Sequence, residues 1–257
     1  MTGEVAEDVY IILAPADHHE IGPEDFGAPG LRATESIGPF SEIVASGPLI
    51  TVHDSRVEAQ LGIGHHPHRH NERLFYIMAG ELDHDDALNH IQGHMGTGDA
   101  GLFTEGQRGM LHSEWNHGDS LCHAYILVYS TNPIPERTDF TVLPDRQAPR
   151  YQEGNGVHTK EIVGPRSPLK VHGDIRRFTD SAVADGSALN VMLGEGEGGL
   201  LSVQEGRVRL DRHELETGAT VLFPPAAGKR SLSLYADGPA RVLRVVHGPG
   251  HGLVRRS

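Results

Sequence analysis

Apolar residues in this chain fall into short runs separated by Gly, Pro, Asn or Asp. Leu49-Ile50-Thr51-Val52, Leu74-Phe75-Tyr76-Ile77-Met78, Ala124-Tyr125-Ile126-Leu127-Val128-Tyr129 and Arg241-Val242-Leu243-Arg244-Val245-Val246 are rich in β-branched and aromatic residues and short enough to be strands. No segment carries the long 3.6-residue periodicity of an amphipathic helix. One short helix is predicted over Arg176 to Val183, with Asp174 as its cap and Phe178 and Val183 as packing positions. The pattern as a whole predicts an all-β protein.

Punctuation along the chain suggests two units. The stretch from Thr131 to Tyr151 holds Pro133, Pro135, Pro144 and Pro149 and few apolar residues, as a linker does. The expected division is therefore residues 1–132, a linker at 133–150, and residues 151–257. A faint internal repeat agrees with it. Gly80-Glu81-Leu82 with Gly98-Asp99-Ala100-Gly101-Leu102-Phe103 is echoed by Gly206-Arg207-Val208 with Gly218-Ala219-Thr220-Val221-Leu222-Phe223. In both copies a glycine turn precedes a strand ending in Leu-Phe, which suits the hairpins of a barrel or jelly roll.

Composition narrows the function. The 32 glycines and 16 prolines suit many tight turns, and 257 residues suffice for cores that need no disulfide staples. The formal charge of −13 repels nucleic acid and anionic membranes, so direct contact with either is not expected. A single cysteine, Cys122, excludes an intrachain disulfide and a thiolate-built metal site and is read as a small buried hydrophobe. The acidic start Met1-Thr2-Gly3-Glu4 and the short apolar run Val9 to Leu13 resemble neither a signal peptide nor a membrane span, so a soluble, unprocessed, cytoplasmic protein is expected.

Eighteen histidines are the unusual feature, and spacing separates a few from the rest. In Gly64-His65-His66-Pro67-His68-Arg69-His70, residues 66, 68 and 70 share one face of an extended chain, and Pro67 places that segment at a strand end or edge. His112-Ser113-Glu114 repeats the i, i+2 arrangement with an imidazole and a carboxylate. Three imidazoles and one acid, free of thiolates, suit Fe, Mn, Ni, Cu or Zn.

His66-Pro67-His68-Arg69, the segment Gly80 to Leu88, and Gly106-Gln107-Arg108-Gly109-Met110-Leu111-His112-Ser113-Glu114 together resemble the pirin family of bicupins. The resemblance is specific over roughly residues 40 to 130 and extends to the second half only as a general pattern. It implies two tandem cupin domains, each a double-stranded β-helix of jelly-roll form. It also implies one metal in the first, usually iron, with Ni, Mn, Cu, Co or Zn as alternatives, held by His66, His68, His112 and Glu114. The family commonly has Gly-Phe where this chain has His70-Asn71, which makes the pocket rim more polar. Glu72 stands where ordinary cupins place a ligating acid and is the rival to Glu114; the favoured reading makes it a carboxylate that orients a ligand imidazole. His65 is read as surface, His70 as lining the entrance, and His84, His90, His94 and His117 as lying in polar turns, with His84 in a segment shared with the family. Aligning the repeated glycines puts Met192, Gly194, Leu232 and Leu234 at the ligand positions of the second half. That half is therefore expected to lack a metal, to pack on the first and to cover part of the barrel mouth.

The resemblance further implies a quercetin 2,3-dioxygenase-like activity: a metal-dependent dioxygenase acting with O2 on a flavonol or related enol or polyphenol, with Glu114 accepting the substrate proton. Two alternatives stay open. One is an iron-dependent redox-sensing regulator that binds a protein partner, and the other is a natural-product tailoring enzyme on the same scaffold. A metal-free scaffold is a further reading.

Overall fold

The computed structural model describes residues 10–256. The acidic Met1–Glu4 segment and Val9 lie outside the described residues. Two sequence patterns decide the architecture. Leu74 to Met78 is apolar at every position, and such a strand must be covered on both faces. Ala188–Leu193 alternates between buried and less buried positions and needs cover on one side.

Both kinds of strand are found in four antiparallel sheets among the described residues. In the first half, strands Asp139–Leu143, Ala100–Thr104, Asn71–Ala79, Cys122–Ser130, Leu49–Val57, Leu31–Ile37 and His19–Ile21 pair in that order as a wide sheet. Gly62–His68, Met110–Trp115, Glu81–Asp86 and Ile91–Gly96 form a narrow sheet. The second half repeats the plan. Ile11–Leu13, Thr220–Phe223, Gly198–Glu205, Ala240–His247, Ile175–Val183, Val157–Val163 and Arg150–Gln152 form the wide sheet. Ala188–Leu193, Arg230–Ala236, Arg207–Leu210 and His213–Glu216 form the narrow one.

Side-chain alternation along the wide sheets explains the layering. Phe75 and Ile77 point into the core shared with Leu82 and Met95 of the first narrow sheet. Leu74 and Tyr76, on the other face, meet Phe178, Leu200 and Leu243 of the second half. Leu201 and Val203 turn toward Leu189, Val191 and Leu234. The layers run narrow, wide, wide, narrow, with the wide sheets back to back. Each fully buried Leu, Ile or Phe contributes roughly 1.5–3 kcal/mol. The protein is all-β, with two tandem cupin jelly rolls as expected. Cys122 is fully buried in the first core, where burial pushes its thiol up to about 12.

Several details depart from expectation. Arg176 to Val183 is part of a strand, paired on both sides with Val157–Val163 and Ala240–His247. Two sheet neighbours outweigh a weak local capping signal, since propensity yields to tertiary context. Within the stretch expected to be a linker, Asp139–Leu143 pairs with Ala100–Thr104. The chain ends also cross over: Ile11–Leu13 joins the second half's wide sheet, and Leu253–Arg255 pairs with Ile43–Ser46 of the first. We propose residues 133–150 as the joint between the halves, on chain connectivity.

The glycine repeat has a physical basis. Gly80 and Gly206 adopt φ of 76° and 80°, and Gly98 and Gly218 adopt 88° and 90°. All four lie in the left-handed region that disfavours a Cβ. A second repeat escaped the sequence reading: Glu35-Ser36-Ile37-Gly38-Pro39-Phe40-Ser41 and Glu161-Ile162-Val163-Gly164-Pro165-Arg166-Ser167 share one turn. In each copy the buried glutamate accepts hydrogen bonds from the two backbone N–H groups at the turn's end, Phe40 and Ser41 or Arg166 and Ser167.

Candidate metal centre

Gly62–His68 is the edge strand of the first narrow sheet, a position that tolerates the missing N–H of Pro67. Its one strand partner among the described residues is Met110–Trp115, and the register sets His66 opposite His112 and His68 opposite Met110. Strand alternation turns His66 and His68 to the same face, and a register irregularity between His112 and Glu114 accompanies the inward turn of both side chains. The three imidazoles converge, with ring centroids 4.7 Å apart for His66 and His68, 4.6 Å for His66 and His112, and 5.0 Å for His68 and His112. One ring nitrogen from each lies within 4.8 Å of the others. Glu114 closes the group: its Oε1 is 3.2 Å from His112 Nδ1 and its Oε2 is 3.8 Å from His66 Nε2.

The electrostatics suit an electron-pair donor set. His66 Nδ1 donates to the Gly64 carbonyl at 2.8 Å, which in the neutral ring leaves the lone pair on Nε2. Burial, aided by the Arg73 charge, lowers His66 and takes His68 down to about 3. His112 is lowered as well, by burial and then by the neighbouring His66 and Arg73. Burial pushes the Glu114 carboxyl up to about 7. Neither ring nitrogen of His112 nor Oε2 of Glu114 has a hydrogen-bond partner, although all are buried. Buried polar atoms are seldom left so. With unpartnered atoms on His112 and Glu114, an open Nε2 on His66, and a His68 ring whose Nδ1 lone pair is held by a side chain that can move away, three imidazoles and a carboxylate fit a divalent transition metal.

Arg73 was not singled out in the sequence, and it changes the site. It follows Glu72 in the strand and donates from Nη2 to His68 Nδ1 at 2.5 Å, while its Nε donates to the fully buried Glu105 at 2.7 Å. Its signal was a charge beside the doubly covered run Leu74 to Met78, where a cation needs a partner.

The remaining candidates sort by their contacts. Glu72 is fully buried and accepts hydrogen bonds from Thr104 Oγ1 (2.9 Å), His172 N (2.8 Å), Gly173 N (3.2 Å) and His172 Nδ1 (2.6 Å). It ties the two halves together, and the imidazole it orients is His172 rather than a member of the cluster. His65 is exposed and bonds Asp85 at 2.8 Å. His70 does not line the cavity beside the cluster; it sits at φ 79°. That left-handed φ is one that glycine adopts without strain and histidine does not. His84 is buried, not in a polar turn: it packs on Phe103, Phe140 and His112 at centroid distances of 4.6, 4.7 and 5.3 Å. In the second half the alignment slips by one. Met192 is exposed, and Val191 and Leu193 face inward with Leu232 and Leu234, filling that interior with apolar side chains.

A cavity of about 450 Å3 opens onto the cluster. His66, His68, Arg73 and Glu114 stand at its polar end, and Leu31, Val57, Phe75, Leu82 and Ile126 are among its apolar walls. Every lining residue lies between Phe26 and Val128, so the second half does not cover the mouth as expected. Its place is behind the wide sheet. No helix among the described residues is long and apolar enough to cross a membrane.

Comparison with known proteins agrees with this architecture. Residues 25–127 match the sequence model of the Pirin family. The chain is 24% identical over 201 residues to a quercetin 2,3-dioxygenase of Escherichia coli strain K12, covering 76% of this chain and 80% of that one. The crystal structure of GK1651 from Geobacillus kaustophilus superposes with a TM-score of 0.79 at 20% identity, covering 93% of this chain and 95% of that one. The bacterial pirin YhhW of Escherichia coli in complex with nickel(II) superposes with a TM-score of 0.76 at 17% identity, covering 93% and 99%.

Proposed function

We propose that this chain, whose residues 25–127 match the Pirin family model, is a metal-dependent dioxygenase acting on a quercetin-like flavonol or a related enol or polyphenol. The observation that carries the reading is the convergence of three imidazoles and a buried carboxylate, with unpartnered donor atoms, at the polar end of an apolar cavity. The E. coli relative named quercetin 2,3-dioxygenase supports the substrate class, and the nickel complex of a pirin supports a metal on this fold.

His66, His68, His112 and Glu114 are the residues that would hold the ion, with iron the first candidate. Bound there, the ion supplies Lewis acidity toward an enolate and an electron path to dioxygen. The chain's own residues do the rest. Hydrogen bonding to Gly64 holds the His66 ring in one tautomer and orientation. Glu114, raised to about 7 and with Oε2 unpartnered, is poised to take the proton of an acidic enol hydroxyl. Phe75, Leu82 and Ile126 present apolar surface to the substrate rings and exclude water from the polar end.

The test is metal content by plasma mass spectrometry, followed by oxygen uptake with quercetin after anaerobic iron loading. One ion per chain and uptake that disappears in His66→Ala and His112→Ala support the proposal. Native protein that takes up no ion, or oxygen uptake equal in native and His66→Ala protein, overturns it.

A further inference from the structure

We infer that the cavity takes a ligand bearing a carboxylate, and that Arg73 is the residue that recognises it. The inference rests on the cavity being the substrate pocket and narrows the class proposed above from flavonols, which carry no carboxylate, to enols or polyphenols that do. Arg73 is the only Lys or Arg among the lining residues. In a chain of formal charge −13, an anion needs such a local cation to enter. Two of the five guanidinium N–H groups are engaged, one by Glu105 and one by His68; the other three find no partner among the described residues.

The contact with His68 is also one that metal loading has to break. If His68 offers Nδ1 to the ion, the guanidinium occupies that lone pair. If it offers Nε2, Nδ1 must carry the ring proton and would then face an N–H donor. In both cases Arg73 leaves His68, while its Nε can stay on Glu105. The released N–H groups are then available at the polar end of the cavity. A planar fork of that kind matches a carboxylate better than a lone hydroxyl, and the apolar walls call for a ring system behind the charge.

The experiment compares naphthoate with its uncharged isostere naphthamide by isothermal titration calorimetry on the full chain. It is run on metal-stripped protein, so that a carboxylate bound by an ion cannot imitate one bound by Arg73; the donors under test there are the three N–H groups that already lack a partner, and the contact with His68 need not break. Naphthoate is expected to bind about tenfold or more tighter than naphthamide, the usual worth of a charge-assisted hydrogen bond. Arg73→Gln should bring naphthoate down to the affinity of the amide without changing the amide itself, and Arg73→Lys should retain part of the preference. The comparison of probes on native protein does not depend on any variant folding. Equal binding of the two probes, absence of binding by either, or naphthoate affinity untouched by Arg73→Gln overturns the inference. A native protein that prefers naphthoate yet never takes up metal refutes only the metal-dependent activity; one that loads metal but shows no preference refutes only the role of Arg73.

Discussion

Glu72 and Glu114 are the two carboxylates a sequence reader would offer as the acidic ligand, and replacing each separates them. Glu72→Ala removes the acceptor for Thr104, for the backbone N–H groups of His172 and Gly173, and for the His172 ring. Thr104 and Gly173 are buried, so their donors are stranded at about 1–3 kcal/mol each, whereas exposed His172 recovers water. The sum is roughly 2–6 kcal/mol. For a protein of this size each kcal/mol moves Tm by about 2–4 °C, so the variant should melt roughly 10 °C lower while binding one ion per chain as native protein does. Glu114→Gln should do the reverse, because its Oε2 has no hydrogen bond to lose. It should melt close to native in the metal-stripped state and lose metal. Differential scanning calorimetry with metal analysis on the same samples decides the matter. A Glu72 variant that keeps its Tm and loses its ion would refute both the magnitude and the assignment of Glu114.

Other consequences can be checked on the same footing. Burial opposes ionisation of Glu35, but hydrogen bonds from His53, Phe40 and Ser41 prevail and hold its pKa below 4.5. Its contribution is thus present above about pH 4.5 and lost as pH falls through the lower folded value. Glu35→Gln should depress Tm at pH 7 and progressively less as the pH falls below about 4.5 through the lower folded value, and a pH-independent depression would contradict this. His70→Gly relieves a left-handed φ of 79° that costs about 1–2 kcal/mol, part of which glycine's chain entropy takes back. A net gain of about 0.5–1 kcal/mol is expected in urea titration, and a loss would show that the Arg69–His70 contact matters more. Gly80→Ala combines a φ of 76° with a Cβ only 2.6 Å from the Leu121 carbonyl oxygen, and should cost about 2 kcal/mol or more in the same titration. Gly206→Ala, whose Cβ would meet Pro239 O at 2.2 Å, should match it, and a silent substitution at either would deny the repeat its structural role.

Which parts of this protein could be read from its sequence follows the distance over which each signal acts. Strand content was legible because alternation and β-branched runs are local. The approach of His66, His68 and His112 was legible because two i, i+2 pairs on neighbouring strands need only one register to meet, and that register is His66 opposite His112. The strand over Arg176 to Val183 was misread because its identity comes from partners at Val157–Val163 and Ala240–His247, not from its own caps. Glu72 shows the same limit at a functional address. Its position after His-x-His suggested a ligand or a prop for one, yet its partners are Thr104, His172 and Gly173, the last two about a hundred residues away. The run after Glu72 carried the overlooked clue. Leu74 to Met78 must be covered on both faces, so the charge that precedes it cannot sit in a core without a partner, and Arg73 has Glu105 on one side and the imidazole cluster on the other. A charge that interrupts the edge of a doubly buried strand is thus a sequence-level marker for a pocket, because an open cavity is where a guanidinium can keep unpaired donors without the full cost of burying them.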